Sequence, residues 1–234
     1  MIIINSKHAK LLDYWGKYAR AVVCDDYFKC IEPGRTVVLT DEVPILRPTD
    51  AIFVDINNPC LNLGSGPTSI GNCLNLDARP LPNVDFVVDL ETGKLPFPDG
   101  FFKEVYAIDV IEHVSYRRVK QLLAEIARVT ACGGILHIRV PDMELIAKYL
   151  LDGKFPGEHG DWFETMSWYI YGGQDYGENA HKSAFTKPTL IYLLERAGFD
   201  DILRAFNEAG HPNIVVDARR WYNCRYREVV LSLN

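Results

Sequence analysis

The chain has 234 residues, 48% of them hydrophobic and 24% charged, with a formal net charge of -6. That is enough apolar material for one large α/β domain with additions, and too ordinary a composition for a fibrous or disordered chain. The acidic balance speaks against a nucleic-acid partner, because affinity for a phosphate backbone rests on clustered Lys and Arg.

At the start, Met1-Ile2-Ile3-Ile4 is followed at once by Lys7 and Lys10, so no apolar run of signal-peptide length stands there. No window approaches the ~20 apolar residues of a membrane span, and a cytoplasmic location is expected. Ser6 can cap a helix whose apolar residues Leu11, Leu12, Trp15, Tyr18, Ala19 and Val22 recur at helical spacing. A stretch punctuated by Pro and Asp, from Glu32 to Pro59, divides an N-terminal extension, residues 1–58, from a main domain, residues 59–234. Within it, segments 36–40 and 51–54 read as short strands of a hairpin or a sheet edge. The six cysteines show no Cys-x-x-Cys pair, so no metal site is expected and free, reduced thiols fit best.

From Pro59 onward, strand-like and helix-like segments alternate, the pattern of a mostly parallel sheet with helices on its faces. Short apolar segments at 60–63, 73–76, 86–88, 104–108 and 135–140 are the strand candidates. Between the last two, Val119, Leu122, Leu123, Ile126 and Ala127 form one helical face, with Ser115 near its start and Gly133-Gly134 past its end. Further helices are expected over 143–151 and over 187–197, the latter with Thr186 as cap, Pro188 in the first turn and Gly198 as terminator. Strands at 202–206 and 225–233 complete the sheet as an antiparallel C-terminal pair.

Chemistry concentrates at the strand ends. Leu61-Asn62-Leu63 runs straight into Gly64-Ser65-Gly66-Pro67, a turn whose glycines let the backbone approach a ligand at the carboxyl edge of a sheet. Asp77 ends the second strand and can accept both hydroxyls of a ribose. Asp89 ends the third and can accept from an adenine amino group, so the two carboxylates outline an adenosine pocket.

With these residues in order, the chain resembles the class I S-adenosylmethionine-dependent methyltransferases, in particular the predicted bacterial methyltransferases of type 11 associated with surface-polysaccharide genes. The resemblance is collinear from Leu61 to about Phe199. It runs through the glycine turn, Leu76-Asp77, Val88-Asp89-Leu90, Leu95-Pro96-Phe97-Pro98-Asp99, Asp109-Val110-Ile111-Glu112-His113-Val114, Gly133-Gly134-Ile135-Leu136, Val140-Pro141-Asp142, His181 with Phe185-Thr186, and Ala197-Gly198-Phe199. It implies a Rossmann-like α/β fold with S-adenosylmethionine as cofactor and S-adenosylhomocysteine as product. It further implies that Gly64, Ser65 and Gly66 surround the methionine part, Asp77 the ribose, and Asp89 with Leu90 the adenine. By the same resemblance Asp109 faces the cofactor's amino group or the acceptor, and Glu112 and His113 lie at the mouth of the crevice. Two departures stand out: only thirteen positions separate Gly64 from Asp77 (77 − 64 = 13), with Pro67 and Gly71 between, so the first crossover is expected to be a loop or single turn. Thr130-Ala131-Cys132 stands where the family more often has Lys-Pro before the paired glycines.

A small-molecule acceptor, a sugar or another hydroxyl compound, fits the segment 152–185, read as an acceptor and lid insertion. Its Trp162, Tyr169, Tyr171, Gln174 and Tyr176 supply aromatic faces and polar groups, and Gly172-Gly173 permits movement. If a hydroxyl is methylated, His113 and His181 are the candidate bases. The rival readings are an NAD(P)-dependent oxidoreductase or epimerase, and a catalytically inactive cofactor-binding protein of the same fold; the spacing from Gly66 to Gly71 counts against the first.

Overall fold

A computed structural model describes residues 3–4, 36–40, 51–55, 57–153, 162–208 and 210–220. Three short strands come first: β1 (Ile3–Ile4), β2 (Thr36–Thr40) and β3 (Ala51–Asp55), paired in parallel in the order β1-β2-β3 as a sheet of their own. Of the two readings of segments 36–40 and 51–54, a hairpin or a sheet edge, the hairpin is excluded, because the two are parallel neighbours and a parallel pair cannot be joined by a tight turn; β3 lies at the edge of this sheet. The helix expected from Ser6 lies outside the described residues.

The main sheet contains β4 (Cys60–Leu63), β5 (Leu74–Asp77), β6 (Phe86–Val87), β7 (Phe102–Ile108), β8 (Thr130–Pro141), β9 (Phe199–Asn207) and β10 (Asn213–Arg220), in the order β6-β5-β4-β7-β8-β10-β9. From β6 to β8 the pairs are parallel, and β10 runs antiparallel to both β8 and β9. The winding direction changes between β4 and β7, which opens a crevice beyond their carboxyl ends. The antiparallel C-terminal pair is present, but its second strand is Asn213–Arg220, where Ile214, Val216 and Ala218 are fully buried. The expected 225–233 strand lies outside the described residues.

Among the described residues, four helices accompany this sheet: α1 (Val119–Val129), α2 (Met143–Asp152), α3 (Trp162–Tyr171) and α4 (Lys187–Ala197). α1 buries Leu122, Leu123 and Ile126, the face expected of it. It does not end at Gly133-Gly134: the chain passes directly into β8, where the Thr130 hydroxyl donates to the Ile126 carbonyl at 2.6 Å, so the glycines lie inside the strand. α2 begins at Asp142, whose carboxylate accepts from Glu144 N at 3.1 Å, and α4 begins with a reciprocal Thr186/Thr189 capping box and Pro in its first turn. Segment 162–171, within the expected acceptor and lid insertion, is helical.

The core lies between sheet and helices, with Phe86, Phe97 and Phe102 packed edge to face at 5.0 and 4.9 Å. α1 also pins the loop that leads into β7. Glu125 accepts from Leu95 N at 3.0 Å, and Arg128 donates to the carbonyls of Leu95 and Phe97 at 2.9 and 2.7 Å.

No helix joins β4 to β5, as the thirteen-residue spacing predicts. The buried amide of Asn62 donates to Thr68 O at 3.1 Å and Asn75 Oδ1 at 2.9 Å, while Asn75 Nδ2 reaches Ser69 Oγ at 3.2 Å. Side-chain amides thus satisfy loop backbone that a helix would have satisfied internally. The expectation of free thiols is corrected: Cys60 and Cys73 form a disulfide between the adjacent starts of β4 and β5, with Cα atoms 4.4 Å apart, and Cys132 is also disulfide-bonded. Among the described residues, no helix is long and apolar enough to cross a membrane.

Candidate active site

The first wall is the turn after β4. Gly64 and Gly66 have φ of +58° and +53°. A Cβ at Gly64 would stand 2.1 Å from Cγ2 of Val110, so only glycine lets the turn pass beneath the tip of β7. Gly66 N–H donates to Asp77 Oδ2 at 2.8 Å, and Asp77 Oδ1 accepts from Arg79 N at 2.9 Å. Asn83 donates to Gly66 O at 2.9 Å, closing the unit from the other side.

A cavity of about 220 Å³ lies over this turn, at the carboxyl end of the parallel strands. Gly64, Gly66, Asp77, Asp89, Leu90 and Asp109 all line it. Asp89 caps a short 3-10 turn, Leu90–Thr92, by accepting from Glu91 N at 2.9 Å, and this turn carries the buried Leu90 into the cavity wall. Asp109 holds φ of +53°, a left-handed conformation that costs a non-glycine residue on the order of 1 kcal/mol. Arg139 on β8 fixes it there by contacting both carboxylate oxygens, with Nε to Oδ1 at 2.8 Å, and reaches Glu208 at 3.3 Å. Ser65 does not line the cavity; its hydroxyl donates to Gly66 O at 3.2 Å.

The opposite wall is the 3-10 turn Ile111–His113 together with the strap before α4. Lys182 N and Ser183 N donate to Glu112 O at 2.7 and 3.0 Å, and the Ser183 hydroxyl donates to Ile111 O at 3.2 Å. The strap thereby brings His181 against His113, ring centroids 4.9 Å apart and nearly edge to face. Gly172 makes this possible: a Cβ there would meet Asn179 O at 2.2 Å and the His181 ring at 3.0 Å. The Gly172-Gly173 pair, read as a hinge, is a closely packed junction. His113 Nδ1 bonds Ala180 O at 3.3 Å and His181 Nδ1 bonds Tyr169 O at 3.1 Å. Burial holds both imidazoles below the ordinary histidine pKa, His181 further by its nearness to His113. The Glu112 carboxyl is buried and pushed well above the usual carboxylate range, mainly by desolvation and then by Asp109.

Of the aromatic residues singled out for an acceptor, Tyr169 and Tyr176 line the cavity, whereas Tyr171 and Gln174 do not. The Trp162 side chain lies outside the described residues. Tyr169 is buried with its hydroxyl 3.3 Å from His211 Nδ1. Trp168, one of the aromatics of the acceptor segment, also lines the cavity, and among the lining residues that the sequence did not single out are Arg79 and Lys182. Arg79 bonds Asp77 at 3.4 Å and lies 3.8 Å over the Tyr176 ring, linking the first wall to the aromatic side. Its place two residues beyond a strand-tip carboxylate, where alternate side chains share a direction, was the available signal. Lys182 pairs with Glu91 at 3.2 Å, a contact between distant segments that carries no sequence signature.

Residues 68–138 match the family model described as a methyltransferase domain, a stretch that begins just past the glycine turn and ends within β8. No curated protein sequence matches the chain. Among solved structures, the chain is similar to the 1,6-didemethyltoxoflavin-N1-methyltransferase of Burkholderia thailandensis, solved with 1,6-didemethyltoxoflavin and S-adenosylhomocysteine, at 18% identity and TM-score 0.48 over 70% of this chain and 72% of that one. It is similar to an S-adenosylmethionine-dependent methyltransferase of Mesorhizobium loti at 16% identity and TM-score 0.48, over 69% and 90% of the two chains. A possible histamine N-methyltransferase of Thermotoga maritima aligns at 15% identity and TM-score 0.47, over 92% and 97%. The family match thus marks residues 68–138 as similar to a methyltransferase domain.

Proposed function

We propose that the chain transfers a methyl group from S-adenosylmethionine to a hydroxyl of a small acceptor, a sugar or a related compound. The observation that carries this reading is that the Gly64–Gly66 turn, two strand-tip carboxylates and the histidine pair all open onto one cavity.

The residues fit the cofactor. Asp77 accepts from the N–H groups of Gly66 and Arg79 and, at 3.4 Å, from Arg79 Nε, which leaves about one of its roughly four lone-pair directions for a ribose hydroxyl unless Arg79 gives way to the diol. Asp89 accepts from the adenine amino group and Leu90 gives that ring an apolar contact. Gly64 and Gly66, with Ser65 holding the turn between them, admit the methionine part, and Asp109 faces its amino group or the acceptor. When bound, S-adenosylmethionine supplies a methyl group on a positively charged sulfur, which is a good leaving group.

What remains for the chain's own residues is to place an acceptor oxygen and exclude water. His113 and His181 form the polar end of the acceptor side. Trp168, Tyr169 and Tyr176 provide faces against which a sugar ring packs. A sugar also accords with the resemblance to methyltransferases associated with surface-polysaccharide genes. A dinucleotide-dependent reaction is disfavoured, because no helix N-terminus follows the glycine turn to receive a pyrophosphate.

The test is release of S-adenosylhomocysteine from S-adenosylmethionine in the presence of a panel of sugars and other hydroxyl compounds, with the product identified by mass. Acceptor-dependent release with one methyl added at oxygen is expected. Methylation confined to nitrogen acceptors would overturn the hydroxyl assignment.

A further inference from the structure

Hydrogen bonding among the described residues does not account for one group on the acceptor wall. The side chain of Glu112 is buried, and its Oε2 has no hydrogen-bond partner among the described residues. A buried carboxyl oxygen left without a partner is costly even in the neutral form that desolvation favours, and a bound cation is one group that relieves it. The two cations bordering this wall are committed elsewhere, Arg139 to Asp109 and Lys182 to Glu91.

The neighbours of Glu112 are prepared in a complementary way. His113 and His181 each direct Nδ1 at a backbone carbonyl, Ala180 O and Tyr169 O. A carbonyl only accepts, so Nδ1 carries the hydrogen in both rings and Nε2 carries the lone pair. Fixing one ring nitrogen on a carbonyl is how proteins orient an imidazole for coordination through the other. One ligand atom from each of Glu112, His113 and His181 lies within 4.8 Å of the other two.

We propose that Glu112, His113 and His181 bind one divalent transition-metal ion. Ligand atoms around such an ion, with bonds of about 2.1 Å, lie about 3.0–3.5 Å apart, so from separations within 4.8 Å the three draw together by at most about 1.8 Å. Two imidazoles and one carboxylate suit zinc, manganese, iron or cobalt better than calcium or magnesium. All three residues line the cavity, so the positions they leave open face the space in which an acceptor oxygen would sit. The absence of Cys-x-x-Cys spacing, on which no metal was expected, does not bear on this site: two ligands are adjacent and the third arrives through the strap bonded to Glu112 O. The site rests on these three side chains whether or not methyl transfer is the reaction.

The experiment titrates Co²⁺ into the full chain after chelator treatment and follows stoichiometry by calorimetry and coordination by visible absorption. One ion per chain is expected, with E112Q and H181A each weakening binding at least tenfold while still binding S-adenosylhomocysteine. Uptake by these variants equal to wild type, or no stoichiometric uptake by wild type, overturns the proposal. Should either variant fail to fold, proton spectra of the Co²⁺-loaded wild-type chain decide. Two strongly shifted, exchangeable imidazole N–H signals, from the Nδ1 hydrogens, are expected, and their absence rules the site out. S-adenosylhomocysteine binding by metal-free wild type separates failure of the metal site from failure of the cofactor reading.

Discussion

Gly66 N–H donates to the carboxylate of Asp77 at 2.8 Å, so the turn after β4 and the tip of β5 form one rigid unit. In the proposed role this carboxylate also holds the cofactor's ribose. D77A therefore loses both the turn's anchor and the ligand contact. Its affinity for S-adenosylhomocysteine is expected to fall tenfold to a hundredfold, since a hydrogen bond to a charged group is worth about 1.5–3 kcal/mol. D77N, which keeps one acceptor oxygen, is expected to lose less. Calorimetric titration of the three proteins checks the order.

Gly64 and Val110 make a steric prediction independent of any ligand. G64A places a methyl group 2.1 Å from Val110 Cγ2 at a backbone φ of +58°. Overpacking and left-handed strain together amount to about 2–4 kcal/mol, or a Tm lower by about 5–10 °C. Adding V110A is expected to restore the part due to the clash and not the part due to φ. A double variant no better than G64A would show that the contact is not the cause.

How much of this was legible in sequence depended on how local each feature is. The strands, α1 and α4 could be read because burial periodicity and caps such as Thr186, Pro188 and Gly198 are written over a few adjacent residues. The missing first helix could be read from a count of positions. The parallel pairing of β2 with β3 could not, since two short apolar runs carry no mark of direction. The glycine turn and Asp77, Asp89 and Asp109 share one cavity because each ends a strand, and strand ends are visible in sequence. Arg79 over Tyr176, Lys182 with Glu91, and the Cys60–Cys73 disulfide join segments whose proximity exists only after the sheet has formed.

Trp168 is 57% exposed yet lines the cavity, so its removal should cost little stability. W168A is expected to leave Tm and S-adenosylhomocysteine affinity near wild type while raising the KM for the acceptor several-fold. An acceptor KM unchanged from wild type would remove Trp168 from the acceptor surface.

Cys60 and Cys73 close a loop with a sequence separation of 13 at the ends of β4 and β5 away from the cavity. Cross-linking a loop of about this length stabilises by about 3 kcal/mol. The C60S/C73S variant is expected to melt several degrees lower than wild type under non-reducing conditions and to bind S-adenosylhomocysteine normally at low temperature. Mass spectrometry of alkylated, unreduced protein should find both cysteines unmodified.

The central claim is that the cavity over the Gly64–Gly66 turn is an S-adenosylmethionine site. Calorimetric titration of the wild-type chain with S-adenosylhomocysteine, and separately with NAD, tests it most directly. The account predicts one S-adenosylhomocysteine per chain and no binding of NAD; saturable binding of NAD with none of S-adenosylhomocysteine would contradict it.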